Sequence, residues 1–117
     1  IVDDVLALVA SEADMGKPVG HDMEEGVYTL PVLYTLEGSN GAELRSLLGD
    51  KVDPDQRERA AGIVRDGDGI GRAIERADAF ATDGRAALAA LPPSPGVTGL
   101  SAAADYLLDS VEAAAAV

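Results

Sequence analysis

Cysteine and tryptophan are absent from this chain of 117 residues, and aromatic residues make up only 3% of it. Without cysteine the chain can form no disulfide framework, no thiolate zinc site and no thiol nucleophile, which is compatible with a reducing cytosol. Because aromatic rings are so few, it also lacks the stacking surfaces that bind unpaired nucleic-acid bases. These absences exclude disulfide-stapled, zinc-finger and single-strand-binding domains.

Positive charge is scarce as well. Nine basic residues stand against 21 acidic ones, which gives a formal net charge of -12. A field of this sign repels nucleic acids and anionic membrane surfaces, so neither is expected as a partner. The apolar fraction of 47% is nevertheless large enough to form a core, which distinguishes the chain from a disordered acidic tail.

Long hydrophobic runs are also missing, because a charge, a glycine or a proline interrupts each apolar stretch before it reaches the length of a membrane span. The first residues carry Asp3 and Asp4 where a signal peptide would carry positive charge, so we expect no signal peptide. The chain opens inside an apolar-periodic stretch with no capping residue before it. We therefore expect residue 1 to be a cut end and the chain to be a piece of a longer protein.

Apolar residues recur at helical spacing along the chain, and no alternating strand pattern of useful length accompanies them. Residues with capping side chains precede several of these stretches; the strongest is Asp53-Pro54-Asp55-Gln56, which has the spacing of a capping box. The pattern predicts an all-α fold in which a thin bundle completes a larger one. The predicted helices span residues 1–14, 30–36 after Thr29, 41–48 after Asn40, 54–65 after Asp53, 69–91 after Asp68, and a last helix after Thr98.

Two adjacent carboxylates, Asp3 and Asp4, lie on the otherwise apolar first helix. Burying such a pair without a partner is costly, and Mg²⁺ is a natural partner because it binds one or two carboxylates together with water and phosphate oxygens. Lys17, on a glycine-flanked loop, can offer a point charge to the same phosphate, and Asp22 can orient that lysine or a metal-bound water. The alternative interpretation is that the acids belong to the first turn of a surface helix, followed by an acidic loop over residues 12–25.

Several short motifs occur in a fixed order within residues 1–36 and resemble the second aspartate-rich region of trans-isoprenyl (polyprenyl) diphosphate synthases. They are Asp3-Asp4-Val5-Leu6, Gly16-Lys17-Pro18-Val19-Gly20, Asp22, Gly26 and Thr29-Leu30-Pro31. The resemblance implies an all-α, isoprenoid-synthase-type helical bundle of which this chain is the C-terminal portion. Residues 1–36 would then be the metal and diphosphate region, and residues 40–117 the C-terminal helices.

The resemblance also implies an activity and a set of site residues. Members of this family are cytoplasmic transferases that condense an allylic diphosphate with isopentenyl diphosphate head-to-tail, using Mg²⁺ to draw charge off the departing diphosphate. By position, Asp3 and Asp4 would be metal-binding acids, with Asp3 the direct ligand. Lys17 would contact the allylic diphosphate. Asp22 would interact with a metal-bound water or with Lys17, without binding the metal itself. The expected macromolecular partner is a second copy, as in a homodimer, or the missing N-terminal part of the same enzyme.

Two positions depart from the family pattern. The last acid of the motif is replaced by Ala7, which lies one turn after Asp3 on the same helical face, so that face lacks a carboxylate. Asp4 points about 100° away around the helix and does not simply replace it. Many bacterial members carry lysine directly after the position of Gly26, where this chain has Val27. One metal ligand and one phosphate contact are therefore expected to be missing.

These departures leave an alternative function open, that of a non-catalytic helical assembly subunit of a prenyl synthase. In the family, the first aspartate-rich motif, the basic residues that bind isopentenyl diphosphate and the helix that sets chain length all lie upstream of the motifs found here. We therefore expect the 117-residue chain alone to be inactive. His21, the single histidine, has no second histidine or cysteine with which to form a zinc set, and a purely local role is expected for it.

Overall fold

A computed structural model describes residues 1–10, 16, 18–49 and 51–116 of the chain. These residues form helices and turns without any strand, which confirms the predicted all-α class. The helices within the described ranges are α1 (Val2–Val9), α2 (His21–Glu24), α3 (Leu30–Glu37), α4 (Gly41–Leu47), α5 (Pro54–Asp66), α6 (Gly69–Ala89) and α7 (Pro95–Ala115).

Helix α5 begins where the sequence predicts. Asp53 accepts a hydrogen bond from the backbone N–H of Gln56 at 2.8 Å, and the Gln56 side chain accepts one from the backbone N–H of Asp53 at 3.1 Å. This reciprocal capping box, with Pro54 in the first helical position, satisfies donors that would otherwise have no partner at the helix N-terminus. The capping bonds fix the residue at which α5 begins, and α5 contacts one wall of the cavity described below.

Other predicted helix boundaries shift by a few residues. The cap of α7 is Ser94 rather than Thr98: Ser94 Oγ accepts a hydrogen bond from Val97 N–H at 3.2 Å, and Pro95 lacks the N–H that a first helical residue leaves unpaired anyway. The helix therefore begins at Pro95, ahead of the start that the sequence predicts. Helix α2 lies in a stretch predicted to be loop. Part of the predicted extension of the first helix, residues 11–14, lies outside the described residues.

Small side chains let the helices approach closely around α5 and α6. Ala60 and Ala61 of α5 and Ala73 of α6 are fully buried. Larger apolar residues from the surrounding helices complete the core around them. These are Val5, Leu8, Val19, Met23, Val32, Leu44, Val64, Ile70 and Val111.

The two longest helices, α6 and α7, have 21 residues each and pack against each other. The longest dimension of the molecule is 52 Å. Between them runs an apolar groove of about 460 Å³ that reaches Val2 of α1. Phe80, Leu100 and Leu107 border this groove and stay more than half exposed. The apolar faces of these two helices are thus only partly covered by the described part of the chain. No helix in the described ranges is both long and apolar enough to span a membrane.

Helices α3 and α6 cross in close contact. Thr35 of α3 is buried and donates a hydrogen bond from Oγ1 to the Pro31 carbonyl oxygen at 2.9 Å. Gly69, the first residue of α6, packs directly on this pair. A Cβ atom at Gly69 would overlap both Thr35 Oγ1 and the Pro31 carbonyl oxygen. Because one of those atoms is backbone, rotation of a side chain cannot relieve the overlap.

We expect Gly69→Ala to destabilise the chain by roughly the 1–3 kcal/mol typical of overpacking, or more. Gly71→Ala is the matched control, because Gly71 lies two residues further along α6 and an added Cβ there meets no atom within 4 Å. Its effect should be neutral or stabilising by up to about 1 kcal/mol. Urea unfolding of the two variants measures the difference. Equal free energies of unfolding would contradict the close crossing.

Candidate functional site

A cavity of about 280 Å³ lies between α1, the segment that leads into α2, and the start of α3. It is bordered by Asp3 and Asp4 from α1 and by Asp22 from α2. The structure thus brings three of the four predicted site residues to one cavity, whereas the fourth, Lys17, lies outside the described residues. The other lining residues are Ala7, Leu8, Pro18, Gly20, His21, Met23, Thr29 and Val32.

Helix α1 presents its acids to the cavity because its apolar face is turned inward. Val5 is fully buried and Leu8 is 3% exposed, and α1 packs against α7 and α6. Asp3 is exposed and Asp4 half-buried. Both line the cavity, although they point in different directions around the helix. Asp4 Oδ2 lies 3.4 Å from the amino nitrogen of Ile1.

Ala7 also lines the cavity, one helical turn after Asp3. Its methyl group offers no oxygen, so α1 contributes two carboxylates at most to a ligand in the cavity. Among the residues that the structure describes, no three acidic, histidine or cysteine side chains lie close enough together to form a metal site. Mg²⁺ characteristically binds one or two carboxylates and takes its remaining ligands from water and phosphate oxygens. The donor set therefore fits Mg²⁺ bound together with a phosphate, and does not fit an all-protein metal cage.

The opposite wall is the segment from Pro18 to Glu24. Gly20 has a left-handed φ of 76°, and a Cβ there would overlap Met23 Cε and press on Arg57 Cγ of α5. Met23 is 1% exposed and anchors the segment in the core. Asp22 follows this turn, and its carbonyl oxygen accepts a hydrogen bond from Val27 N–H at 2.8 Å. A tight turn and a buried methionine together place Asp22 at the cavity.

An ion pair joins this wall to α5. Arg57 Nη1 donates a hydrogen bond to Glu24 Oε2 at 2.7 Å. This bond is the main cause that lowers the pKa of Glu24 below its ordinary value of 4.5, and the hydrogen bond with His21 lowers it further. The His21 ring nitrogens lie 3.5 Å from Glu24 Oε2 and 3.4 Å from Glu25 Oε1. His21 thus has the local partners expected of it, and it also borders the cavity.

Reasoning from the sequence singled out Asp3, Asp4 and Asp22, which line the cavity, but not the residues that hold the cavity walls in place. Thr29 was predicted only to cap α3; it forms no side-chain capping bond and lines the cavity instead. Arg57 and Glu24 are 33 residues apart and belong to no common motif, so no local signal in the sequence pairs them. Their contact follows only from the packing of α2 on α5.

Comparison with known proteins finds relatives of this chain among prenyl diphosphate synthases. A model of the polyprenyl synthetase family matches residues 1–64. The nonaprenyl diphosphate synthase of Mycobacterium tuberculosis is 39% identical over 109 residues, which cover 91% of this chain and 32% of that protein. The geranylfarnesyl diphosphate synthase of Aeropyrum pernix is 30% identical over 114 residues, or 96% of this chain and 36% of that protein.

A third relative, heptaprenyl diphosphate synthase component 2 of Bacillus subtilis, is 29% identical over 107 residues, covering 92% of this chain and 31% of that protein. The chain therefore spans about a third of the length of these curated relatives. No solved structure gives a significant match.

The Arg57–Glu24 pair makes a pH-dependent prediction. Because the pKa of Glu24 is lowered in the folded chain, its carboxylate stabilises the fold above about pH 4.5, and this contribution is lost as the pH falls through the lowered pKa. Glu24→Gln should therefore lower the midpoint of urea unfolding near neutral pH, and this effect should shrink progressively as the pH falls from 4.5 towards about 3.

The Arg57→Met background is the control for this prediction, since it removes the main cause of the pKa shift. In that background the effect of Glu24→Gln should be much smaller at both pH values. An effect of Glu24→Gln that is independent of pH in the parent chain would contradict the assignment.

Proposed function

Because the chain belongs to the polyprenyl synthetase family, we propose that it forms the C-terminal part of a trans-polyprenyl diphosphate synthase. Residues 1–36 would provide the second aspartate-rich region and one wall of the metal–diphosphate site, and residues 40–117 would provide the C-terminal helices. The observation that carries the proposal is the meeting of Asp3, Asp4 and Asp22 at one cavity. The order of the motifs in residues 1–36 and the family match over residues 1–64 support it.

The proposed reaction is the head-to-tail condensation of an allylic diphosphate with isopentenyl diphosphate. When bound, Mg²⁺ supplies electrostatic stabilisation of the departing diphosphate. Asp3 would be the direct metal ligand on α1, with Asp4 beside it. Asp22 would orient metal-bound water or Lys17, and Lys17 would hold the diphosphate as a point charge.

Electrostatics supports a requirement for a cation. Three carboxylates around one cavity, in a chain with a formal charge of -12, repel a diphosphate unless a cation intervenes. Leu8, Met23 and Val32 add apolar surface to the same cavity, and this surface strengthens electrostatic interactions by excluding water. Diphosphate binding by these residues should therefore depend strictly on a divalent metal.

The apolar groove between α6 and α7 supports the proposal that the chain needs a partner. Phe80, Leu100 and Leu107 expose an apolar surface that a second copy, or the two thirds of a synthase that this chain does not match, would cover. The non-catalytic assembly subunit remains the second candidate, because Ala7 removes one acid from the cavity. One relative is itself named as a component of a heptaprenyl diphosphate synthase.

We expect the 117-residue chain alone to show no prenyl transfer. The first aspartate-rich motif, which would supply the acids of the facing helix in the proposed site, is not found in this sequence. The measurement is product formation from an allylic diphosphate and isopentenyl diphosphate with Mg²⁺. Turnover by the pure chain would overturn the view that it carries one wall of the site.

We also expect the chain to bind inorganic pyrophosphate only when Mg²⁺ is present, with amide NMR shifts confined to α1 and residues 18–24. Asp3→Asn should weaken this binding on the order of tenfold or more, since loss of even an indirect supporting group commonly costs that much. Ala7→Asp should tighten it severalfold by adding a carboxylate one turn from Asp3.

Asp109→Asn is the charge-matched control for these variants, because it removes one negative charge from an exposed position on α7 that does not line the cavity. It should leave the dissociation constant within about twofold of the parent value. If the parent chain shows no Mg²⁺-dependent binding while Ala7→Asp gains it, the assembly-subunit alternative is favoured over a working site.

A further inference from the structure

Arg57 differs from the other arginines whose ion pairs link two helices. Its side chain is only 15% exposed, whereas that of Arg59, two residues further along α5, is 65% exposed. Arg57 contacts Glu24 across 33 residues of sequence and thereby joins α5 to the cavity wall. Nothing in the family motifs within residues 1–36 accounts for this arginine.

We propose that Arg57 is a positioning residue that, through its bond to Glu24, holds the segment 18–24 where Asp22 faces the carboxylates of α1. The proposal rests on the function proposed above, since positioning Asp22 matters only if the cavity binds a ligand. Arg57 does not line the cavity, so its effect on a ligand would be transmitted entirely through Glu24 and the segment.

Few other polar contacts join the segment 18–24 to the rest of the described chain. The backbone hydrogen bonds of residues 18–27, as far as the structure describes them, stay within that stretch. His21 pairs with Glu24 and Glu25 of its own stretch. Among the described residues, Arg57–Glu24 is the side-chain hydrogen bond that crosses from this stretch to another helix. Within the described residues, the segment is thus fixed to the body of the molecule by apolar packing and by the Arg57–Glu24 ion pair.

Both ends of the Arg57 side chain contact the segment 18–24. The Cγ of Arg57 lies close beneath Gly20, where even a Cβ would be crowded, and Ala61 lies beside it. The guanidinium at the other end donates to Glu24. Gly20 and Glu24 bracket His21 and Asp22, so α5 supports the turn on both sides of the residue that reaches the cavity.

The guanidinium group of Arg57 lies in a largely buried position. Arg57 Nε is buried and, within the described part of the chain, has no hydrogen-bond partner. Such a poorly solvated position strengthens the remaining ion pair, because the local dielectric constant is lower than that of water. It also makes displacement of Glu24 costly, since the buried cation would then lose its partner. The arrangement favours one position of the segment over alternatives.

The chain provides a matched control in Arg59. Arg59 Nη2 donates to Glu43 Oε1 at 2.7 Å, the same length as the Arg57–Glu24 bond, and it begins on the same helix. Its partner lies on α4, which contributes no residue to the cavity. Removing either arginine removes one charge and one ion pair from α5. Only loss of Arg57 should affect the cavity wall.

The test is amide hydrogen exchange followed by NMR on the 117-residue chain. Val27 N–H is the reporter, because it donates to the carbonyl oxygen of Asp22, and the amide of buried Val64 on α5 reports global opening. Arg57→Met keeps an apolar stem and removes the charge. It should speed exchange at Val27 by about tenfold relative to Val64, whereas Arg59→Met should change this ratio less than about twofold.

Two further variants keep the test decisive if Arg57→Met fails to fold. Glu24→Gln alters the half-exposed partner instead, and it should speed exchange at Val27 in the same way but by less. Arg57→Lys keeps the charge and should retain part of the protection. Unchanged exchange at Val27 in Arg57→Met, or in Glu24→Gln where the former does not fold, would overturn the proposal.

A second measurement tests whether the Arg57–Glu24 ion pair affects ligand binding in the cavity. In titrations with Mg²⁺ and inorganic pyrophosphate, Arg57→Met should raise the dissociation constant by about tenfold, and Arg59→Met should leave it unchanged. Faster exchange at Val27 with unchanged pyrophosphate affinity would overturn the positioning role. If the parent chain binds no pyrophosphate, the proposed function fails, and the exchange at Val27 still decides whether Arg57 holds the segment.

Discussion

Attraction between a cation and carboxylates is the interaction on which the account of this molecule depends. Asp3 and Asp4 on α1 and Asp22 on α2 line one cavity, and Asp4 also lies 3.4 Å from the amino nitrogen of Ile1. A cation in the cavity would be attracted by these negative charges, the more so where apolar neighbours exclude water. A binding role for a cation explains why these residues meet; a surface helix with ordinary first-turn acids does not require that they meet.

Packing by small residues makes this arrangement possible. Ala60, Ala61 and Ala73 let α5 and α6 lie close to their neighbours, and Gly69 permits the crossing with α3. The inward face of α1 and the buried Met23 hold the two walls of the cavity against one common core. Helix α5 belongs to that core and also contacts the second wall through the bond of Arg57 to Glu24.

Local chemistry made much of this fold predictable. Helical periodicity and capping residues predicted the described helices except α2, and the motifs of residues 1–36 singled out Asp3, Asp4 and Asp22, which line one cavity. The start of α7 was predicted too late, because Ser94 and Thr98 are both good caps and only the position of Pro95 distinguishes them. Arg57 could not be found from the sequence, since its role comes from a contact between distant segments.

Complementation of a truncated relative tests the central claim most directly. The nonaprenyl diphosphate synthase of Mycobacterium tuberculosis can be produced without the third that this chain matches, and the chain can then be added with Mg²⁺, an allylic diphosphate and isopentenyl diphosphate. If the chain carries one wall of the metal–diphosphate site, prenyl transfer should appear on mixing and should be lost with Asp3→Asn. If the relative's own matched third restores activity and this chain does not, the account is contradicted.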